Sequence, residues 1–254
     1  MISPPGQDPE ASIQLASGSD VGQLRSANED SCDSFTHEDG TRLLVLADGM
    51  GGARGGATAS HTAIATIAEH FERDTSERPR ATLETAIQAA NARIFEIAQR
   101  DPELEGMGTT VVALLLDARL RATVAHVGDS RAYLIRDSDI KLVTRDHSLL
   151  NDYLEVMPDM PPEQVEELPR NVITRALGMQ DVVTVDIQDL APEAGDRWLL
   201  CSDGLNGMLK DEQILAEVME AGADLEAGVN QLIERANAAG GEDNTTVVLC
   251  GCQA

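Results

Sequence analysis

Aromatic residues are nearly missing: three Phe, two Tyr and one Trp in 254 residues. Any core must be filled by Leu, Val, Ile and Ala, and the apolar share of 42% is normal for a globular chain. Basic residues are scarce as well, 19 against 44 acidic, giving a formal charge of −25. That balance argues against nucleic acid or an anionic membrane as partner through a basic surface. Most of the acids read as a solvated surface, a minority as groups neutralised by bound cations. Cysteine is limited to Cys32, Cys201, Cys250 and Cys252, too few and too scattered for a disulfide framework. Cys250-Gly251-Cys252 lacks the second pair a zinc site needs. Reduced thiols and a cytoplasmic location fit best. Met1 to Glu10 holds no basic n-region and no apolar h-region, so it reads as a polar, Pro-rich tail and not a signal peptide. No apolar run approaches the length that spans a bilayer. The expected organisation is a flexible tail over residues 1–11 and a single domain over 12–254, acting as a monomer.

Against these absences stand two runs that look like one device used twice: Leu43-Leu44-Val45-Leu46-Ala47-Asp48-Gly49-Met50-Gly51-Gly52 and Trp198-Leu199-Leu200-Cys201-Ser202-Asp203-Gly204. Each is a short apolar stretch, the mark of a buried strand, that stops at Asp-Gly. The carboxylate then sits at the strand mouth, and the glycine lets the backbone turn and bring a carbonyl close to whatever the carboxylate holds. Two such sites far apart in sequence suggest carboxylates gathered from several strand ends, the all-oxygen setting that hard divalent cations prefer.

Elsewhere the pattern predicts one or two strands within residues 12–35, a strand over 41–47 and helices over about 55–72 and 82–100. Strands follow over 108–116, 121–127, 131–136, 139–143, 182–187 and 198–202, with helices over 211–221 and 225–238 and a last strand over 245–250. Between about 146 and 170, Pro158, Pro161, Pro162 and Pro169 interrupt acidic stretches, which suggests a surface flap with short helices. Strand runs segregated from helix pairs argue for an α+β fold with largely antiparallel sheets.

Four more polar clusters recur at turns: Arg25-Ser26-Ala27-Asn28-Glu29-Asp30, Gly128-Asp129-Ser130-Arg131, Asp146-His147-Ser148 and Gly241-Glu242-Asp243-Asn244-Thr245. Singly each is ordinary turn chemistry. In this order, together with Asp48-Gly49-x-Gly51-Gly52, Gly108-Thr109-Thr110 and Ser202-Asp203-Gly204, they span Arg25 to Asn244. The chain thereby resembles the metal-dependent Ser/Thr protein phosphatases of type 2C. The resemblance implies a four-layer α-β-β-α sandwich, two antiparallel sheets flanked by antiparallel helix pairs. It implies Mn2+ or Mg2+, two ions per active site with a third possible. Asp48 would bridge the two ions, with the Gly49 carbonyl on one and Asp203 and Asp243 completing the other. Asp30, with Glu29, would act through metal-held water; Asp129 with Asp203 matches a third position; Arg25 would clamp the substrate phosphate. Hydroxide generated between the ions would attack phosphorus in line. Catalysis would rest on Arg25, Asp48 and Asp203. Substrates would be phosphorylated proteins, in opposition to a bacterial Ser/Thr kinase.

One position departs from the eukaryotic pattern: Met50 stands where those members carry His, so the form resembles bacterial members and the proton for the leaving alkoxide would come from metal-held water. A metal-poor regulatory module of the same fold would be expected to have lost a carboxylate, and none is lost. A hydrolase of small phosphoesters stays open. Among the other polar residues, His61 reads as a helix-face or core residue, His126 as structural, His147 as a supporting residue near the flap, and Arg54 as either a phosphate recruiter or a helix cap.

Overall fold

Leu43 to Ala47 is apolar at every position because both faces of its strand are covered. The computed structural model describes residues 13–73, 78–117, 121–166, 168–169 and 172–252; the tail expected over 1–11 lies outside them. The chain runs Ile13–Asp20 (β1), Ser31–Thr36 (β2), Arg42–Ala47 (β3), Gly49–Met50 (β4), Ala53–Arg73 (α1) and Pro79–Arg100 (α2). After a single 3-10 turn at Pro102–Leu104 come Gly108–Thr109 (β5), Val111–Leu116 (β6), Ala122–Val127 (β7), Arg131–Arg136 (β8) and Asp139–Leu142 (β9). Two short helices, Leu149–Val156 (α3) and Pro162–Glu166 (α4), precede Asp186–Leu190 (β10) and Arg197–Cys201 (β11). The chain closes with Asp203–Asn206 (α5), Asp211–Ala221 (α6), Leu225–Ala239 (α7) and Thr245–Cys252 (β12).

Two five-stranded sheets form, in the orders β1-β12-β11-β8-β9 and β10-β7-β6-β3-β2, and every pairing within them is antiparallel. Alternation along each strand sorts side chains into layers. Leu43, Val45, Val111, Ala113 and Leu115 meet Ile64 and Ile67 of α1 and Leu83, Ile87 and Ile94 of α2. Leu44, Leu46, Val112 and Leu114 face the other sheet, meeting Leu200 and Val248 around Trp198, which is fully buried. Tyr133, Leu199, Val247 and Leu249 pack on Ile214, Val218, Val229 and Leu232 of α6 and α7. Three aliphatic cores thus separate four layers, helix pair, sheet, sheet, helix pair, which is the α+β sandwich expected. Burial on both faces is why these antiparallel strands lack the half-polar alternation such strands usually show.

Two boundaries differ from expectation. The run over 108–116 is not one strand: it breaks at Thr110, whose N–H donates to the Asp48 carbonyl at 2.8 Å, and β5 leaves the sheet to pair with β4. The strand expected over 182–187 begins only at Asp186. Before it, the carbonyls of Gln180 and Asp181 accept from Asn91 Nδ2 of α2 at 3.0 and 3.1 Å, and that of Val183 accepts from Gln88. Side chains of a helix satisfy this stretch in place of a neighbouring strand.

Candidate active site

Carboxylates from five separate places converge at one end of the sandwich. Asp48 follows β3, Asp203 follows β11, Asp243 precedes β12, and Asp30 precedes β2. Asp129 lies in the turn between β7 and β8. Burial raises Asp48 well above the ordinary carboxylate range, and the charges of Asp30, Asp203, Asp129 and Asp243 each raise it further. Asp30 is pushed from 3.8 to about 7, first by burial and then by Asp203, against hydroxyl bonds that lower it. Asp129 also reaches about 7, through burial and the charges of Asp203 and Asp146. Asp203 is raised by burial and by Asp243, and Glu29 chiefly by burial. So many like charges cannot all ionise together unless cations join them.

Hydrogen bonding bears on the same point. One oxygen of Asp30 accepts from Ser202 Oγ at 2.8 Å and Thr246 Oγ1 at 2.7 Å. Its other oxygen is buried with no partner, as are the Oδ1 atoms of Asp129 and Asp203. Buried polar atoms are almost always paired. Three unpaired carboxylate oxygens in one acidic cluster, with no nitrogen or sulfur ligand among them, form a donor set that suits hard divalent cations.

Neighbouring backbone explains why the cluster is held. The Asp48 carbonyl accepts from Thr109 Oγ1 and from Thr110 N, each at 2.8 Å. Asp48 N donates to Thr110 Oγ1 at 3.0 Å, and that hydroxyl meets Ser130 Oγ at 2.7 Å, joining the Asp48 and Asp129 turns. Gly49 has no room for a side chain: a Cβ there would lie 2.6 Å from the Glu29 carbonyl and against Gly56. Asn244 spans the cleft, its Oδ1 accepting from Glu29 N at 2.8 Å and its Nδ2 donating to the Val21 and Ala27 carbonyls at 2.9 and 3.0 Å. These bonds fix the loop bearing Arg25, Glu29 and Asp30. Arg25 is half exposed and reaches Asp243 Oδ2 at 2.6 Å, so a cation at the rim lies beside the carboxylates.

All seven residues singled out from the sequence lie at this end of the sandwich: Arg25, Asp30, Asp48, Asp129 and Asp243 on loops, Gly49 at the start of β4 and Asp203 at the start of α5. Thr109, Thr110, Ser130, Ser202, Asn244 and Thr246 were given no role in advance. Most of them fall inside the quoted motifs, but only the fold reveals which carboxylate or carbonyl each one meets. His147 is not bonded to the acidic carboxylates: its Nδ1 accepts from Gly128 N at 3.0 Å. Its ring stacks on that of His126 at 4.7 Å, and His126 Nε2 meets the Arg145 carbonyl at 2.8 Å. Burial lowers His147 to about 4, so the ring is neutral at physiological pH. His61 lies on the exposed face of α1, bonded to the Ala57 carbonyl at 2.6 Å. Arg54, in the first turn of α1, pairs with Glu103 and approaches Asp101.

A sandwich with a carboxylate cluster at the strand ends defines the class: a metal-dependent phosphatase scaffold. The family profile of protein phosphatase 2C matches residues 22–237, and the chain belongs to that family, in its bacterial form. It is thereby a phosphoprotein phosphatase. The serine/threonine phosphatase stp of Listeria monocytogenes is 34% identical over 234 residues, covering 91% of this chain and 92% of that protein. The serine/threonine phosphatase of S. agalactiae superposes with a TM-score of 0.89 at 32% identity, over 95% of this chain and 100% of that one. The catalytic domain of serine/threonine protein phosphatase PstP, in complex with two manganese ions, gives 0.81 at 37% identity, over 95% and 99%.

Proposed function

We propose that this chain hydrolyses phosphoserine and phosphothreonine in proteins with Mn2+ or Mg2+, two ions at the cluster and a third at Asp129. The observation that carries the reading is the set of buried, unpaired carboxylate oxygens of Asp30, Asp129 and Asp203 around the charge-crowded Asp48. Asp48 and the Gly49 carbonyl hold the ions jointly, Asp203 and Asp243 complete one of them, and Asp30 acts through water. Two divalent ions side by side lower the pKa of water between them and supply hydroxide near neutral pH.

The chain's own groups do the rest. Arg25, half exposed beside Asp243, presents its planar guanidinium to two phosphoryl oxygens and holds phosphorus in line for attack. As charge builds on the transferring group, the same guanidinium stabilises it. Met50 cannot donate a proton, so the leaving alkoxide takes its proton from water. The reading extends to a monomeric cytoplasmic enzyme opposing a Ser/Thr kinase; the cytoplasmic part is supported by the few, scattered cysteines.

The test is phosphate release from a phosphothreonine peptide with Mn2+ and with EDTA, alongside Asp203→Asn. Metal-dependent release lost in the variant is the expected result. No release from the unaltered chain with any divalent ion would refute the reading, and turnover of small phosphoesters without peptides would redirect it to a small-molecule hydrolase.

A further inference from the structure

Gly128, one residue before Asp129, has both its backbone polar groups held by one side chain's residue. Its N–H donates to His147 Nδ1 at 3.0 Å, and its carbonyl accepts from His147 N at 2.9 Å. The glycine sits at φ +106, and a Cβ there would lie 2.6 Å from Thr110 Cγ2. The backbone at such a residue has little intrinsic preference and must be held from outside. At the other end of the turn, Arg131 grips Asp146 with Nε and Nη2 at 2.9 and 2.7 Å. Adjacent residues, Asp146 and His147, therefore close both ends of the turn that carries Asp129. The free Oδ1 of Asp129 has no hydrogen-bond partner, so the turn itself must aim that oxygen.

We infer that His147 is a positioning residue for Asp129: by clasping Gly128 it sets the aim, and so the cation affinity, of the Asp129 carboxylate. The inference rests on the proposed role of Asp129 as a cation ligand. Beyond the Gly128 bond, the ring is held at its other nitrogen. Nε2 lies 3.4 Å from Asp186 Oδ2, and Arg175 pairs with the same carboxylate at 2.7 Å. The His147 carbonyl accepts from Thr174 N at 2.9 Å. The ring is thus braced by β10 and by the segment that returns from the short helices.

His126, His147 and Asp186 also lie close enough to suggest a cation site, with ligand atoms within 4.8 Å of one another. Charge decides against it. The Arg175 guanidinium stands 2.9 Å from Nε2, where a second cation would be repelled. The cluster works as a brace.

The experiment uses the full chain stripped with EDTA, titrated with Mn2+ in a calorimeter, with amide hydrogen exchange read at Gly128. Asp129→Ala defines the binding event that depends on Asp129. In His147→Ala that event should weaken by about tenfold or more, the range seen when groups orienting a ligand are lost, while binding that depends on Asp48 stays. Gly128 exchange should accelerate. His147→Asn places an amide oxygen where Nδ1 stands and should restore both; His147→Gln, with its amide one bond further out, should restore neither, and this pair decides even if the alanine variant fails to fold. Unchanged Mn2+ affinity in a folded His147→Ala, or equal behaviour of the Asn and Gln variants, would overturn the inference, as would an Asp129→Ala chain that loses no binding event. Asp48→Asn that binds Mn2+ like the unaltered chain would instead count against the proposed function.

Discussion

At Asp48 four other carboxylates and burial all disfavour charge, and a neutral amide removes the conflict. Asp48→Asn should therefore lower turnover by at least about 10²-fold, the scale of losing one preorganised electrostatic partner. In EDTA at neutral pH the same variant should melt no lower than the parent. A lower melting temperature would mean that Asp48 supports the fold rather than a ligand. Asn244 is the opposite case. Its amide satisfies Glu29 N and the Val21 and Ala27 carbonyls, so truncation strands partners that water reaches poorly. Asn244→Ala should cost about 1–3 kcal/mol in urea unfolding. Freeing the Arg25 loop should also raise KM more than it lowers kcat, and an unchanged KM would separate the loop from substrate binding.

Among the elements, the stretch 178–183 shows how a helix substitutes for a strand. Asn91 is fully buried in α2; its Nδ2 serves the Gln180 and Asp181 carbonyls and its Oδ1 accepts from Gly178 N at 2.9 Å. Asn91→Ala should expose amides over 178–183 to exchange while β10 and β7 stay protected, at a cost of about 1–3 kcal/mol. Loss of protection in β10 would mean that the two are one cooperative unit. The same stretch marks where the sequence stops being legible. Val182-Val183-Thr184-Val185 has the composition of a strand, and nothing local says that side chains of α2 capture the Val183 carbonyl and those of Gln180 and Asp181 just before it. Thr110 is similar: its β-branched neighbours promise one long strand, and only the approach of the Asp48 loop breaks it. By contrast, Leu43 to Asp48 and Trp198 to Asp203 were legible because an apolar run ending at Asp-Gly has one cheap solution, a buried strand with its carboxylate at the mouth. The five carboxylates and Arg25 were found by type and motif; their hydroxyl and amide supports were not, since a Thr or Asn beside a carboxylate is indistinguishable in sequence from one in any turn.

For the molecule as a whole, the acidic cluster is a local concentration of a charge imbalance that reaches −25. Its thermodynamic consequence without metal has a definite sign. Asp30 and Asp129 titrate near 7 in the folded chain and at the ordinary 3.8 when unfolded. Between those values the folded state holds protons that the unfolded chain has released, so their contribution to stability falls as pH rises and the penalty is complete only about a unit beyond 7. His147, lowered to about 4 from 6.5, and His126, lowered as well, act in the other direction below 6.5, where the unfolded chain takes up protons that the buried rings refuse. Above 6.5 the histidine contribution is exhausted and the carboxylates alone set the slope. The EDTA-treated protein should therefore lose melting temperature steadily from pH 6.5 to pH 8, and an Asp30→Asn, Asp129→Asn double variant should lose less. Mn2+ at about 100 times its dissociation constant should return about 2.7 kcal/mol per bound ion at the high end of that range. It should return little below pH 4, where the carboxylates are protonated and cannot ligate. A metal-free melting temperature that is flat above pH 6.5, with the double variant matching the parent, would show that the cluster stays solvated and that its charges are relieved without any cation.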